Sequence, residues 1–145
     1  QVKRAVAKGA TVALGGKRIA RPGSYMQPTI LTDISPKNPA YREEFFGPVA
    51  LLFRVKNETE ALALANDSDF GLGGSIFTRD VARGQRPARR LDTGMVSINH
   101  PPWPAADLPF GGIKHSGYGR ELSSLGIHEV VNKKLIRTAS INPAP

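Results

Sequence analysis

Hydrophobic positions along the first third of the chain switch between two periods. Val2, Ala5 and Val6 recur at i, i+3 and i+4, which predicts the last turns of an amphipathic helix, and Gly9 follows where such helices commonly close. Thr11–Leu14 is a short β-favouring run stopped by Gly15 and Gly16. Residues 18–23 read as a loop and residues 25–31 as an extended segment. Residues 33–41 carry Ser35, Pro36, Asn38 and Pro39, the composition of a connecting loop. Residues 49–55 are nearly all apolar, which predicts a strand buried on both faces, as in a parallel sheet.

Asn57 stands three residues before Glu60, the spacing of a capping box, so a short helix is expected through residues 61–65. Phe70, Gly71 and Leu72 turn the chain toward a strand expected over residues 75–78. Asp80 is placed to cap a helix reaching Leu91. Gly84 and Pro87 fall inside that helix, and an interior proline deletes a hydrogen bond at a cost of about 3 kcal/mol, so an irregular helix is expected. Residues 94–99 form the next β run. Strand, helix and strand in succession make a βαβ unit, for which a parallel sheet is the natural form. Residues 121–132 predict a short helix interrupted at Gly126. Residues 133–138 predict a last strand with Lys133 and Lys134 at its entry, as edge strands often have. The fold class expected is α/β.

Of 145 residues, 40% are hydrophobic and 22% charged, the make-up of an ordinary globular chain long enough for one domain. No run approaches the roughly eighteen apolar residues of a membrane helix, and the first residues lack the apolar core of a signal peptide. A cytoplasmic protein with no membrane partner is expected. With no cysteine, disulfides and thiolate metal sites are excluded, and three scattered histidines lack ligand spacing, so no metal site is expected. The net charge of +8 raises nucleic acid as a partner. The basic residues are spread out, however, and the group between Arg79 and Arg90 is not interleaved with base-stacking aromatics. A solvated surface is the better reading, and no nucleic-acid partner is expected.

Residues 43–49 read Glu-Glu-Phe-Phe-Gly-Pro-Val. Pro48 fixes its own φ and pushes Gly47 out of the α region, while Gly47 tolerates angles that a side chain forbids. A carboxylate offered from so stiff a turn beside an aromatic face suits a ribose, whose diol donates hydrogen bonds while the ring packs against sugar or base. A strand-entry turn with solvated acids and a core phenylalanine fits the same residues.

The stretch resembles the Glu-x-Phe-Gly-Pro-Val motif of the NAD(P)-dependent aldehyde dehydrogenase superfamily. A second block, Pro109-Phe110-Gly111-Gly112-Ile113-Lys114-His115-Ser116-Gly117-Tyr118-Gly119-Arg120-Glu121, is similar to another motif of that family and lies at the expected distance downstream. The resemblance spans essentially the whole chain. It implies the C-terminal part of the catalytic domain over residues 1–132, a parallel sheet with flanking helices, followed by an oligomerisation strand and tail over residues 133–145. Glu44 would hydrogen-bond the nicotinamide ribose of NAD or NADP and Phe46 would pack beside it; Glu43 has no role carried over.

The loop of residues 100–108 holds three prolines and the single tryptophan. Trp103 is either a partly buried loop anchor or, as the family places this loop, part of a substrate tunnel, with His100 and Ala105 beside it. The same resemblance gives Phe110 a substrate-facing role and Glu121 a proton-relay role; an ion pair between Arg120 and Glu121 accounts for the same residues. Residues 98–103 and 119–134 look most like bacterial succinate-semialdehyde dehydrogenases. Some of that group hold the substrate carboxylate with a serine where Ala105 stands here, so its ligands would come from elsewhere.

Aldehyde dehydrogenases attack the aldehyde with a cysteine thiolate, and this chain has none. It also opens directly on a helix-like stretch. The resemblance therefore implies a segment of a longer enzyme, inactive alone, homo-oligomeric through its last strand, whose catalytic cysteine and general base lie outside these residues. A non-catalytic oligomerisation module and a basic nucleic-acid binder are the alternative classes.

Overall fold

Helix α1 (Val2–Ala7) ends as its pattern predicts, in a computed structural model that describes residues 1–141. Gly9 takes a φ of 100° and its N–H bonds the Val6 carbonyl at 2.9 Å. Two carbonyls near the end of α1 are taken by a buried side chain, Asn38, whose Nδ2 donates to Ala5 at 2.9 Å and to Lys8 at 3.2 Å. Its Oδ1 accepts from the Ala40 N–H at 3.0 Å, which caps the 3-10 turn Pro39–Tyr41. One amide thus ties the helix end to a loop in which the sequence showed only a turn former.

The chain divides into two units, Gln1–Ser68 and the part from Asp69 onward. In the first, β1 (Thr11–Leu14) runs antiparallel to β2 (Thr29–Thr32), and β2 runs parallel to β3 (Val49–Leu51), with Leu31 opposite Leu51. Ala5, Ala10, Leu31, Ile34 and Ala40 form the core, with Val2, Phe45, Val49 and Phe53 packed against it. The strand expected over residues 49–55, buried on both faces, is corrected to the three residues of β3. It pairs with β2 alone, and Leu52 just beyond it is 51% exposed.

Helix α2 (Glu58–Asn66) is capped as expected, the Asn57 Oδ1 accepting from the Glu60 N–H at 2.9 Å. The reciprocal bond falls one residue earlier than in a standard box: Glu60 Oε2 accepts from the Lys56 N–H at 2.7 Å. The far end is tied down through Asp67, which accepts from the Tyr41 hydroxyl at 2.8 Å and pairs with the Arg42 guanidinium at 2.6 Å.

In the second unit β5 (Gly73–Ile76) and β6 (Met95–Ile98) are parallel, Gly73 opposite Met95 and Ile76 opposite Ile98, with α3 (Val81–Ala88) between them. This is the expected βαβ unit, with its first strand starting two residues early. Asp80 Oδ1 accepts from the Arg83 N–H at 2.9 Å, the expected cap. The helix runs through Pro87 and stops at Ala88 rather than Leu91, the Pro87 carbonyl taking the N–H groups of both Arg90 and Leu91. The short β4 (Phe70–Gly71) pairs antiparallel with β7 (Ile113–Lys114). A Cβ on Gly94 would stand 2.0 Å from the Gly111 carbonyl oxygen, so only glycine fits there.

Helix α4 (Ser123–Glu129) begins two residues later than expected. Glu121 is drawn into a two-bond bridge with Phe110, and Leu122, the residue before the helix, takes a φ of 61°. Residues 133–138, expected as a strand, pair with no strand among the described residues, and Leu135 is 90% exposed. A β-strand needs a neighbouring ladder, and none is offered within the described residues. Residues 142–145 of the expected tail lie outside the described residues. Among the described residues no helix is long and apolar enough to cross a membrane.

Candidate functional site

Exposure alternates along the turn. Glu43 and Phe45 are partly buried, Glu44 is exposed and Phe46 is 94% exposed. The inward pair is fixed: Phe45 packs on the core, and Glu43 Oε1 meets Arg4 Nη2 at 2.6 Å. The outward pair is an exposed carboxylate and an exposed ring two residues apart. The Gly47 N–H bonds the Phe45 carbonyl at 2.8 Å and the Val49 N–H bonds the Gly47 carbonyl at 2.7 Å, while the Pro48 carbonyl accepts from Thr29 at 2.8 Å. The turn is therefore stitched directly to β2.

Gly47 does not use the backbone freedom expected of it. Its φ is not positive, and a Cβ built on it meets nothing within 4 Å. Nothing inside this unit requires glycine there. What its missing side chain leaves is open space over the backbone, next to Phe46 and to a cavity of about 350 Å³ lined by Val2, Gly16, Met26, Phe45, Phe46 and Gly47. That is within the range of small-ligand sites. A solvent-facing carboxylate, a bare aromatic face and an unobstructed backbone fit a sugar ring.

In the second unit Phe110 and Glu121 are brought together by reciprocal backbone bonds of 2.8 and 2.7 Å. Both line a cavity of about 230 Å³ with Leu72, Tyr118, Arg120 and Glu129. Arg120 Nη1 donates to the carbonyls of Gly112 at 2.9 Å and Gly119 at 2.6 Å, so the guanidinium braces the glycine-rich block rather than pairing with Glu121.

His100, Trp103 and Ala105 are not among the residues lining that cavity. His100 Nδ1 lies 2.6 Å from the Pro101 carbonyl oxygen. Trp103 is 71% exposed and anchors no core in this chain, and Ala105 is partly buried, its carbonyl accepting from Leu108 at 3.0 Å. Sequence reasoning missed Arg4 and Glu129. Arg4 meets Glu43 from 39 residues away, a distance over which no local pattern signals contact.

A profile of the aldehyde dehydrogenase family matches residues 1–136. The chain belongs to the aldehyde dehydrogenase family. It is 58% identical over 145 residues to the succinate-semialdehyde dehydrogenase (NADP+) of Deinococcus radiodurans, covering 100% of this chain and 30% of that protein. To the succinate semialdehyde dehydrogenase (NAD(P)+) of Escherichia coli it is 47% identical over 132 residues, 91% of this chain and 29% of that one. The crystal structure of succinic semialdehyde dehydrogenase from Streptococcus pyogenes in complex with NADP+ superimposes with a TM-score of 0.91 at 45% identity, over 96% of this chain and 30% of that one. The chain thus spans about 30% of the length of the relatives it matches. Its α/β fold is part of the aldehyde dehydrogenase fold.

Proposed function

We propose that residues 1–145 are the C-terminal part of an NAD(P)-dependent aldehyde dehydrogenase that oxidises succinate semialdehyde to its carboxylate in the cytoplasm. In this reading residues 1–132 complete the catalytic domain, and residues 133–145 supply the strand that joins subunits into a homo-oligomer. The names of the relatives support the substrate, and either dinucleotide is compatible with them. The exposed Leu135 and Ile136 support a segment that pairs with another subunit.

The observation that carries the proposal is the outward face of the turn, where Glu44 and Phe46 stand beside the open backbone of Gly47. Glu44 accepts the ribose hydroxyls and Phe46 packs along the sugar. The bound dinucleotide supplies the hydride acceptor. Phe110, with His100, Trp103 and Ala105, borders the aldehyde, and Glu121 relays the proton of the hydrolytic water toward a general base. The Ala105 side chain offers no donor to a substrate carboxylate. The nucleophilic thiol and the base come from outside these residues, which hold no cysteine.

A chimera in which residues 1–145 replace the matching segment of the Deinococcus radiodurans enzyme tests this reading. The chimera is expected to reduce NADP+ or NAD+ with succinate semialdehyde, while the 145 residues alone show no turnover. Turnover by the isolated chain, or a folded chimera without it, contradicts the proposal.

A further inference from the structure

Helix α1 grips the turn from its inner face. Arg4 Nη2 lies 2.6 Å from Glu43 Oε1, and Gln1 Nε2 donates to the Glu44 carbonyl at 3.0 Å. Gln1 and Arg4 are three residues apart and project from one side of the first turn. Val2 and Phe45 pack on the same core next to them. The second oxygen of Glu43 is buried and has no hydrogen-bond partner among the described residues.

An exposed ion pair contributes little to stability. Here one carboxylate oxygen is already out of water, and Arg4 is the cation that meets the charge. Without Arg4 that carboxylate is left without its cation and is drawn toward water, away from the inner face of the turn that also carries Glu44 and Phe46. Glu43 and Phe45 are partly buried while Glu44 and Phe46 are exposed, so a shift of the backbone at Glu43 changes how Glu44 and Phe46 are presented.

We propose that Arg4 and Glu43 are a positioning pair which, with Gln1, sets the direction in which Glu44 and Phe46 face the cofactor ribose. Neither member of the pair touches the cofactor. The inference rests on the ribose-binding reading of Glu44, and the experiment separates the two. A site held in place before the ligand arrives binds without a reorganisation cost, and small misplacements of binding groups are expensive.

The test uses the chimeric enzyme, with cofactor dissociation constants from fluorescence and separate KM values for dinucleotide and aldehyde. Arg4→Met and Glu43→Gln are each expected to raise the dinucleotide KM about tenfold, the scale of one charge-assisted hydrogen bond, with aldehyde KM within about twofold of the parent. Arg4→Lys, which keeps the charge, recovers part of that loss. Gln1→Ala removes an exposed bond only, and is expected to raise the dinucleotide KM about threefold even if Arg4→Met folds poorly. Glu44→Ala is the control. If it weakens dinucleotide binding while Arg4→Met, Glu43→Gln and Gln1→Ala do not, the brace is refuted and the role of Glu44 stands; if Glu44→Ala changes nothing, the ribose reading fails and the brace with it.

Discussion

The Asn99 side chain pairs with the backbone of Thr78 as a strand residue would, its Oδ1 accepting from the Thr78 N–H at 2.7 Å and its Nδ2 donating to the Thr78 carbonyl at 2.8 Å. It extends the β5–β6 pair by one rung just where the chain enters the loop of residues 100–108. Asn99 sits at a φ of 56°, a conformation asparagine tolerates better than most residues. Asn99→Ala removes both bonds and leaves the strained backbone, and is expected to cost about 1–2 kcal/mol in chemical denaturation. A change within error would show that the rung contributes nothing.

Asn38 is buried and bonds three backbone groups at once; its loss leaves the Ala5 carbonyl with the Lys8 and Ala10 N–H groups but removes the side-chain partner of the Lys8 carbonyl and of the Ala40 N–H. Asn38→Leu, close in size but without polar atoms, is expected to destabilise by about 2–4 kcal/mol, more than the surface substitution Asn57→Ala at about 1 kcal/mol. Urea denaturation of the two variants gives the comparison; equal losses contradict it.

The hydroxyl of Tyr41 has its pKa raised above the ordinary 10.0, first by its hydrogen bond to Asp67, then by burial and the Asp67 charge, with Arg42 opposing. Because the folded pKa exceeds the unfolded one, the stabilisation is fully present below pH 10.0 and is lost as pH climbs through the folded value. The tyrosinate absorbance that disappears in Tyr41→Phe is expected to titrate above 10.0. Tyr41→Phe is also expected to cost about 0.5–1 kcal/mol at neutral pH, the scale of a partly exposed hydrogen bond.

Two glycines make opposite predictions. Gly94→Ala drives a Cβ to 2.0 Å from the Gly111 carbonyl, so the variant is expected to lose folded yield and melt well below the parent. Gly47→Ala meets nothing within 4 Å and is expected to melt with the parent. In the chimera, however, Gly47→Ala is expected to raise the dinucleotide KM about tenfold, because the added methyl fills space that the proposed ribose contact would use. Unchanged binding would mean that the space over Gly47 is not used.

Elements carried by local chemistry were legible in the sequence. Asn57 and Asp80 cap the helices they precede, Gly9 closes α1, and the strand–helix–strand run from Gly73 to Ile98 gives a parallel pair. What escaped depends on groups far apart in the chain. Neither Asn38 reaching α1 nor Arg4 reaching Glu43 leaves a periodic trace, and the bridge between Phe110 and Glu121 overrides the helical pattern that begins at Glu121. The apolar run of residues 49–55 announces burial that the first unit does not itself provide. Glu44 and Phe46 are exposed at the turn, as the proposed ribose contact requires, whereas the open space over Gly47 left no signal in the sequence.

The most direct measurement is a crystal structure of the chimeric enzyme with its dinucleotide bound. The account predicts a Glu44 carboxylate oxygen within about 3 Å of a nicotinamide-ribose hydroxyl and the Phe46 ring in contact with the same sugar. A bound dinucleotide whose ribose lies beyond hydrogen-bond reach of Glu44, with Phe46 still in solvent, would contradict it.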